Sequence, residues 1–271
     1  MKGFILSFRS EFYKTRKTMG FWSAVLLPFL LCLFVFIGFF ANSNELMKNS
    51  GMELWIKFSL PILGVMGLLL MPMLIIFIAY SVNSLEHKAD TWKTIFSLPI
   101  PKLSVYAAKY FYAFFLLFLC LALFVLFTIG FGNFLGLLKP ALKFSEYSVA
   151  SILAQIYLKF FLASLGILSI QFLLSLLFSD FLKPMGIGFI CTIVGGILAG
   201  RDWAYAYLFP YSHPMMAMRA FGQSTKGGDN HPSAMPHFTV EMLTKDTWVS
   251  LAVAVAVFVA GYFIVLKKSV K

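Results

Sequence analysis

The chain has 271 residues, of which 60% are hydrophobic and 12% are charged, and its formal net charge is +11. Soluble domains average about 45–50% apolar and about 25% charged residues. So much apolar surface excludes a soluble enzyme, a disordered chain and a nucleic-acid-binding domain. The composition therefore predicts an all-α integral membrane protein.

Six segments are long and apolar enough to cross a bilayer core of roughly 30 Å, which takes about 20 residues in a helix. The predicted spans are residues 21–40, 58–82, 110–138, 156–178, 184–200 and 249–266. With the N-terminus inside, the cytoplasmic pieces hold 13 of the 22 basic and 4 of the 11 acidic residues, a net +9 against +2 outside. The positive-inside rule then predicts cytoplasmic N- and C-termini, with the basic excess facing anionic lipids.

The first 20 residues predict an amphipathic helix on the inner membrane surface. Its apolar positions recur every four residues, its cations would anchor it, and a cytoplasmic extension of the first span is the alternative. The candidate residues are Phe4, Phe8, Phe12, Lys14 and Arg16.

A second amphipathic helix is predicted between the second and third spans, over residues 83–98. Asn83 followed by Glu86 resembles a capping box, and Pro99 and Pro101 end the helix. Its narrow apolar stripe among mixed charges favours docking in a groove of a soluble partner over lying on lipid. The candidate docking residues are Leu85, Glu86, His87, Ala89, Asp90, Trp92, Lys93 and Phe96.

The spans carry very few polar groups, so Asn133 and Gln171 are the candidate polar residues of a translocation pathway. In the fifth span Gly188, Thr192, Gly196 and Gly200 repeat every four residues. This small-xxx-small pattern predicts close helix packing, either within the chain or between two copies.

Residues 201–248 are too long for a simple loop and begin with an aromatic, proline-broken segment. They predict a re-entrant or interfacial helical pair outside the membrane, followed by a polar loop over residues 222–237. Methionines and histidines in this stretch are irregularly spaced, so interfacial packing explains them better than a metal site.

The spans lack the ionisable relays that ion-coupled transporters use, and the chain has neither a phosphate-binding loop nor a catalytic set. The chain is therefore predicted to be no enzyme and to bind no cofactor or metal. Any energy for transport must therefore come from elsewhere, and any nucleotide-hydrolysing unit must be a separate chain.

Three sequence elements resemble permease subunits of ABC-2-type transporters, most closely the bacitracin and lantibiotic-immunity type. The first is Glu11-Phe12-Tyr13-Lys14, before the first span. The second runs from Glu86 through Asp90-Thr91-Trp92-Lys93 and Ser97-Leu98-Pro99-Ile100 to Lys109. The third is Leu208-Phe209-Pro210-Tyr211-Ser212-His213-Pro214. The resemblance covers nearly the whole chain, as one transmembrane domain over residues 1–271.

This resemblance implies that residues 1–20 are the elbow helix, residues 83–98 the coupling helix that engages the ATPase, and residues 201–248 an outer re-entrant region. It also implies a bacterial cytoplasmic membrane, a second permease chain and two ATPase subunits that bind ATP and Mg²⁺. The expected function is export of an amphiphilic or antimicrobial peptide for self-protection. A non-transporting scaffold or sensor, or a secondary transporter or channel, is the alternative.

Overall fold

The computed structural model describes residues 2–89, 91–92, 94, 99–201, 203–224 and 240–267, and none of these residues forms a β-strand. Within this part of the chain six helices are long and apolar enough to cross a membrane. These spans are Met19–Ala41, Gly51–Lys88, Lys102–Leu138, Ala150–Leu177, Leu182–Gly200 and Lys245–Lys267. The predicted all-α architecture with six spans is confirmed.

Several spans are longer than their hydrophobic runs because polar residues continue the helices beyond the apolar core. The second span begins after Ser50, which forms a capping box with Glu53. It consists of α-helix over Gly51–Val65, a π-helical turn over Met66–Leu70 and α-helix again over Met71–Lys88.

The predicted capping box at Asn83 is wrong, because Asn83 lies inside the second span. Its amide donates to the Ser175 hydroxyl at 2.8 Å instead, which ties the second span to the fourth. The Asn83 side chain therefore serves contact between two packed helices and does not cap the start of one.

The fourth span is the most buried of the six and packs against the second, third and sixth spans. The first span packs mainly against the third, and the fifth lies against the second span and the turn that follows Phe209. The first, fifth and sixth spans expose most of their surface, as helices at the edge of a bundle do in lipid.

A separate helix, Lys2–Thr15, precedes the first span and packs along the third. The rings of Phe4 and Phe111 lie 6.0 Å apart, and those of Phe8 and Tyr112 lie 5.9 Å apart. Phe12 is exposed. The predicted apolar stripe is therefore divided between the protein and the exterior.

The connection after the fifth span consists of two 3-10 turns, Ala206–Leu208 and Pro210–Ser212, and the helix His213–Ser224. One helix thus stands in the described residues where a helical pair was expected. Two further short elements, the helix Ser43–Leu46 and the 3-10 turn Phe144–Glu146, lie in the connections at the same end of the bundle.

Candidate functional site

Four charged side chains meet where the N-terminal helix joins the second and third spans. Glu11 and Lys14 come from the N-terminal helix, Glu86 from the end of the second span and Lys109 from the start of the third. Each carboxylate contacts both lysines, so the four residues close into a charge ring with no net charge.

The ring distances are those of good ion pairs. Lys109 Nζ lies 3.0 Å from Glu11 Oε2 and 2.7 Å from Glu86 Oε2. Lys14 Nζ lies 3.0 Å from Glu11 Oε1 and 3.1 Å from Glu86 Oε1. The side chains of Glu11, Glu86 and Lys109 are at most 3% exposed, whereas that of Lys14 is 37% exposed.

Lys109 contacts three oxygen acceptor groups at this site. Besides its two carboxylate partners, it donates to the Val82 carbonyl at 2.9 Å. It also donates to Glu11 Oε2 at 3.0 Å, whereas its contact with Glu86 Oε2 at 2.7 Å is an ion pair without hydrogen-bond geometry. The third span is thus fixed to both the N-terminal helix and the second span through one nitrogen atom.

The partly exposed Lys14 also stays charged. Burial disfavours its ammonium form, but the Glu11 and Glu86 carboxylates outweigh this effect and raise the pKa of Lys14 above its ordinary value. A closed set of mutually paired charges holds three helices in place and has no group left over for acid–base chemistry. The role of the charge ring in this structure is to connect these three helices.

The side chain of Trp92 connects the charge ring to the segment after the second span. Lys109 Nζ lies 5.6 Å from the centre of the Trp92 ring, within the range of a cation–π contact. The His87 ring lies 5.6 Å from the same ring, and His87 Nε2 is 3.0 Å from the Ser175 carbonyl. Trp92, His87 and Glu86 therefore face the bundle.

These positions bear on the predicted docking face. Glu86 is buried, Leu85 is half-buried and Ala89 is exposed just past the end of the helix. Asp90, Lys93 and Phe96 lie outside the described residues. The role of this face stays a prediction, but Glu86 has no surface to offer a partner and would act through the charge ring.

The glycine pattern of the fifth span divides into two parts. Gly188 and Thr192 are buried within the chain, and a Cβ on Gly188 would collide with the side chains of Gln171 and Ile76. Around Gly196 and Gly200 there is open space. The buried face continues instead through Gly195 and Ala199.

The two candidate pathway residues have different surroundings. Gln171 is buried and donates from Nε2 to the Tyr211 hydroxyl at 2.6 Å, which joins the fourth span to the turn after the fifth. Asn133 is exposed and lines a cavity of about 160 Å³ near the other end of the third span from the charge ring. The structure does not place the two in a common cavity.

His213 fills a structural position at the start of its helix. Its Nε2 lies 2.8 Å from the Tyr207 carbonyl, and burial lowers its pKa, so it is neutral at pH 7. Among the described residues, no three His, Cys, Asp or Glu side chains are grouped to hold a metal ion.

The charge ring as a unit was not predicted from the sequence, although its members were visible. Two of them lie in the element Glu11-Phe12-Tyr13-Lys14, and the other two, Glu86 and Lys109, begin and end the second element. The signal was the presence of acidic residues among the cations next to the spans, where positive charge alone serves topology.

Comparisons with known proteins agree with this architecture. The model of a family described as "ABC-2 family transporter protein" matches residues 7–195, which is more than half of the chain. No curated protein and no solved structure matches the chain. The matched segment contains the whole charge ring and the first four spans. The chain therefore belongs to the ABC-2 transporter family, as a multi-pass membrane subunit that works with an ABC ATPase.

Proposed function

We propose that this chain is the permease subunit of an ATP-binding-cassette exporter in a bacterial cytoplasmic membrane. Two permease chains, identical or homologous, form the pathway, and two ATPase subunits bind ATP and Mg²⁺ at the cytoplasmic face. The permease itself carries no cofactor. The observation that carries the proposal is the buried charge ring, which joins the N-terminal helix to the segment between the second and third spans.

The ring suits this segment to be the coupling element. The connection between the second and third spans runs from Glu86 to Lys109, and both of these residues belong to the charge ring. Both ends of the connection are therefore anchored in the same buried ion-pair network. A displacement of the connection by the ATPase would move the second and third spans together with the N-terminal helix. In the proposed orientation, with the ATPase bound to the connection between the second and third spans, the ring and both termini lie on the cytoplasmic side.

An apolar groove on the outside of the bundle favours an amphiphilic cargo. A groove of about 700 Å³ lies between the first and second spans, and its lining is apolar apart from Ser23. Such a surface suits a membrane-embedded peptide better than a small ion, which needs polar ligands along its path. This supports export or membrane clearance of an antimicrobial peptide, as the family resemblance implies.

The coupling role predicts a specific effect of Trp92→Leu, which keeps an apolar side chain but removes the cation–π contact with Lys109. A contact of this kind is worth about 0.5–2 kcal/mol. We expect cargo-stimulated ATP hydrolysis by the reconstituted complex to fall roughly twofold to thirtyfold. Binding of the ATPase, measured by co-purification, should persist.

The matched control is Trp203→Leu, because Trp203 is exposed at the far end of the bundle and should leave coupling unchanged. Equal activity of the Trp92 and Trp203 variants would remove Trp92 from the coupling path. Purification of the native chain without any ATPase, or flux driven by an ion gradient alone, would contradict the exporter proposal. Recruitment of partners without cargo movement would instead support the scaffold alternative.

A further inference from the structure

A polar cavity, here called the notch, lies at the ends of the third and fourth spans away from the charge ring. Its polar side chains include those of Asn133, Ser145 and Ser148, all three of them exposed. None of the three makes a side-chain hydrogen bond within the described part of the chain. The notch thus offers an amide and two hydroxyl groups to a ligand.

The wall of the notch is firmly built. Trp55 Nε1 donates to the Phe144 carbonyl at 3.0 Å, and the two rings pack edge to face at 5.0 Å. Only a glycine fits at position 132, since a Cβ there would collide with the Trp55 ring. A preformed cavity of this kind loses little conformational freedom when it binds a ligand.

An apolar groove of about 320 Å³ continues along the same pair of helices. Val125 and Ala154 line the groove, and Ile129 and Ala150 line the notch one helical turn further along each helix. At the end of the groove away from the notch lie Phe118 and Phe161, whose rings are 5.5 Å apart.

The combined length matches one leaflet of a bilayer. From Phe118 to Asn133 the helix rises roughly 22 Å at 1.5 Å per residue. Half of a bilayer with its headgroups is about 20–22 Å thick. A ligand that fills both parts therefore has a polar head and a hydrocarbon tail of leaflet length.

We propose that the notch and the groove together bind one phospholipid, with its phosphate in the notch and an acyl chain in the groove. Charge supports the phosphate end, because Lys139 and Lys143 lie beside the lining of the notch and Glu146 is the only acid of residues 139–149. Lys139 donates to the Ser43 hydroxyl at 2.6 Å, and Lys143 forms an exposed ion pair of 3.8 Å with Glu146, so one positive charge remains in excess. The fourth span begins at Ala150 without a side-chain cap, so its first backbone N–H groups also face this region. A second protein helix would leave the polar notch unfilled.

The assignment of the bound lipid to one leaflet of the bilayer rests on the proposed function. If the charge ring is cytoplasmic, the bound lipid belongs to the outer leaflet. The binding itself does not depend on the orientation, so a failure to find an ATPase partner would leave the lipid site to be judged on its own experiment.

The experiment uses the full chain in nanodiscs that contain trace phosphatidylglycerol with a photoreactive diazirine. One probe carries the diazirine near the end of an acyl chain and the other carries it in the headgroup. We expect the acyl probe to label peptides that contain residues 118–125 and 154–161, and the headgroup probe to label residues 133–150. Labelling spread evenly over all exposed spans would overturn the proposal, because it would indicate bulk lipid.

One variant tests each half of the site. Ala154→Phe fills the groove from an exposed position and should abolish local acyl labelling, whereas Ala252→Phe on the exposed side of the sixth span should not change it. Asn133→Leu should reduce headgroup labelling at the notch roughly tenfold, as expected for one hydrogen bond to a charged group.

Unchanged labelling in both Ala154→Phe and Asn133→Leu would overturn the site. Cross-links from the groove to a second protein chain in place of lipid would do the same. Both variants lie on exposed positions, and their folding is checked by thermal unfolding before labelling, so a loss of signal is not confused with a loss of structure.

Discussion

Replacing Lys109 with methionine is expected to destabilise the folded chain by about 3–5 kcal/mol, the cost of breaking a buried ion pair from one side. Within the described residues, Glu11 and Glu86 would keep the partly exposed Lys14 as their one remaining charged partner. The midpoint of thermal unfolding in detergent should fall by roughly ten degrees. The yield of monodisperse protein should fall with it.

Two controls separate the charge ring from charge in general. Lys143→Met removes an ion pair of 3.8 Å between two exposed side chains and should cost no more than about 1 kcal/mol. The triple variant Glu11→Gln, Glu86→Gln, Lys109→Met removes all three buried charges of the ring and should recover most of the lost stability.

Two results would contradict the ring as one stabilising network. If Lys109→Met unfolds at the temperature of the unchanged protein, the two carboxylates do not depend on Lys109. If the triple variant is less stable than Lys109→Met, the four residues do not act as one network. A recovered fold without coupled ATP hydrolysis in the triple variant would assign the ring to coupling as well as to stability.

The six spans could be predicted from the sequence because bilayer thickness and hydropathy act on each segment separately. The ends of the helices were harder to predict, because a helix can continue through polar residues where hydropathy gives no signal. For the second span a local signal existed, since Ser50 and Glu53 have capping-box spacing and form that box. The similar pattern at Asn83 lies in mid-helix, so spacing alone cannot tell a cap from a buried amide.

The charge ring depends on the approach of residues far apart in the chain, which no local pattern encodes. In the sequence, Glu11, Lys14 and Lys109 count simply as charges of the cytoplasmic pieces. The same limit applies to Asn133, whose polarity was visible while the cavity around it depends on the connection over residues 139–149.

The fifth span shows how a sequence pattern and a helix face diverge. A spacing of four residues advances about 40° beyond a full turn, so Gly188, Thr192, Gly196 and Gly200 rotate through about 120° in all. The buried set of Gly188, Thr192, Gly195 and Ala199 includes one step of three residues. It stays within about 60° and thus keeps to one side of the helix.

This difference predicts opposite effects at two neighbouring glycines. A Cβ on Gly195 would lie 2.5 Å from the carbonyl carbon and oxygen of Tyr211 and 2.8 Å from the Ser212 nitrogen. These are backbone atoms, so the helix itself must move. Gly195→Ala should therefore destabilise the chain by about 1–3 kcal/mol, as overpacking does.

At Gly196 the space around a Cβ is open. Gly196→Ala should leave stability unchanged or raise it by up to about 1 kcal/mol, because alanine favours the helix over glycine. Thermal unfolding of the two single variants under identical conditions makes the comparison. Effects of the same sign would contradict the packing of the fifth span against the turn at Tyr211. A shift from dimer to monomer in Gly196→Leu, with the stability of the monomer unchanged, would assign the open face to contact between two copies.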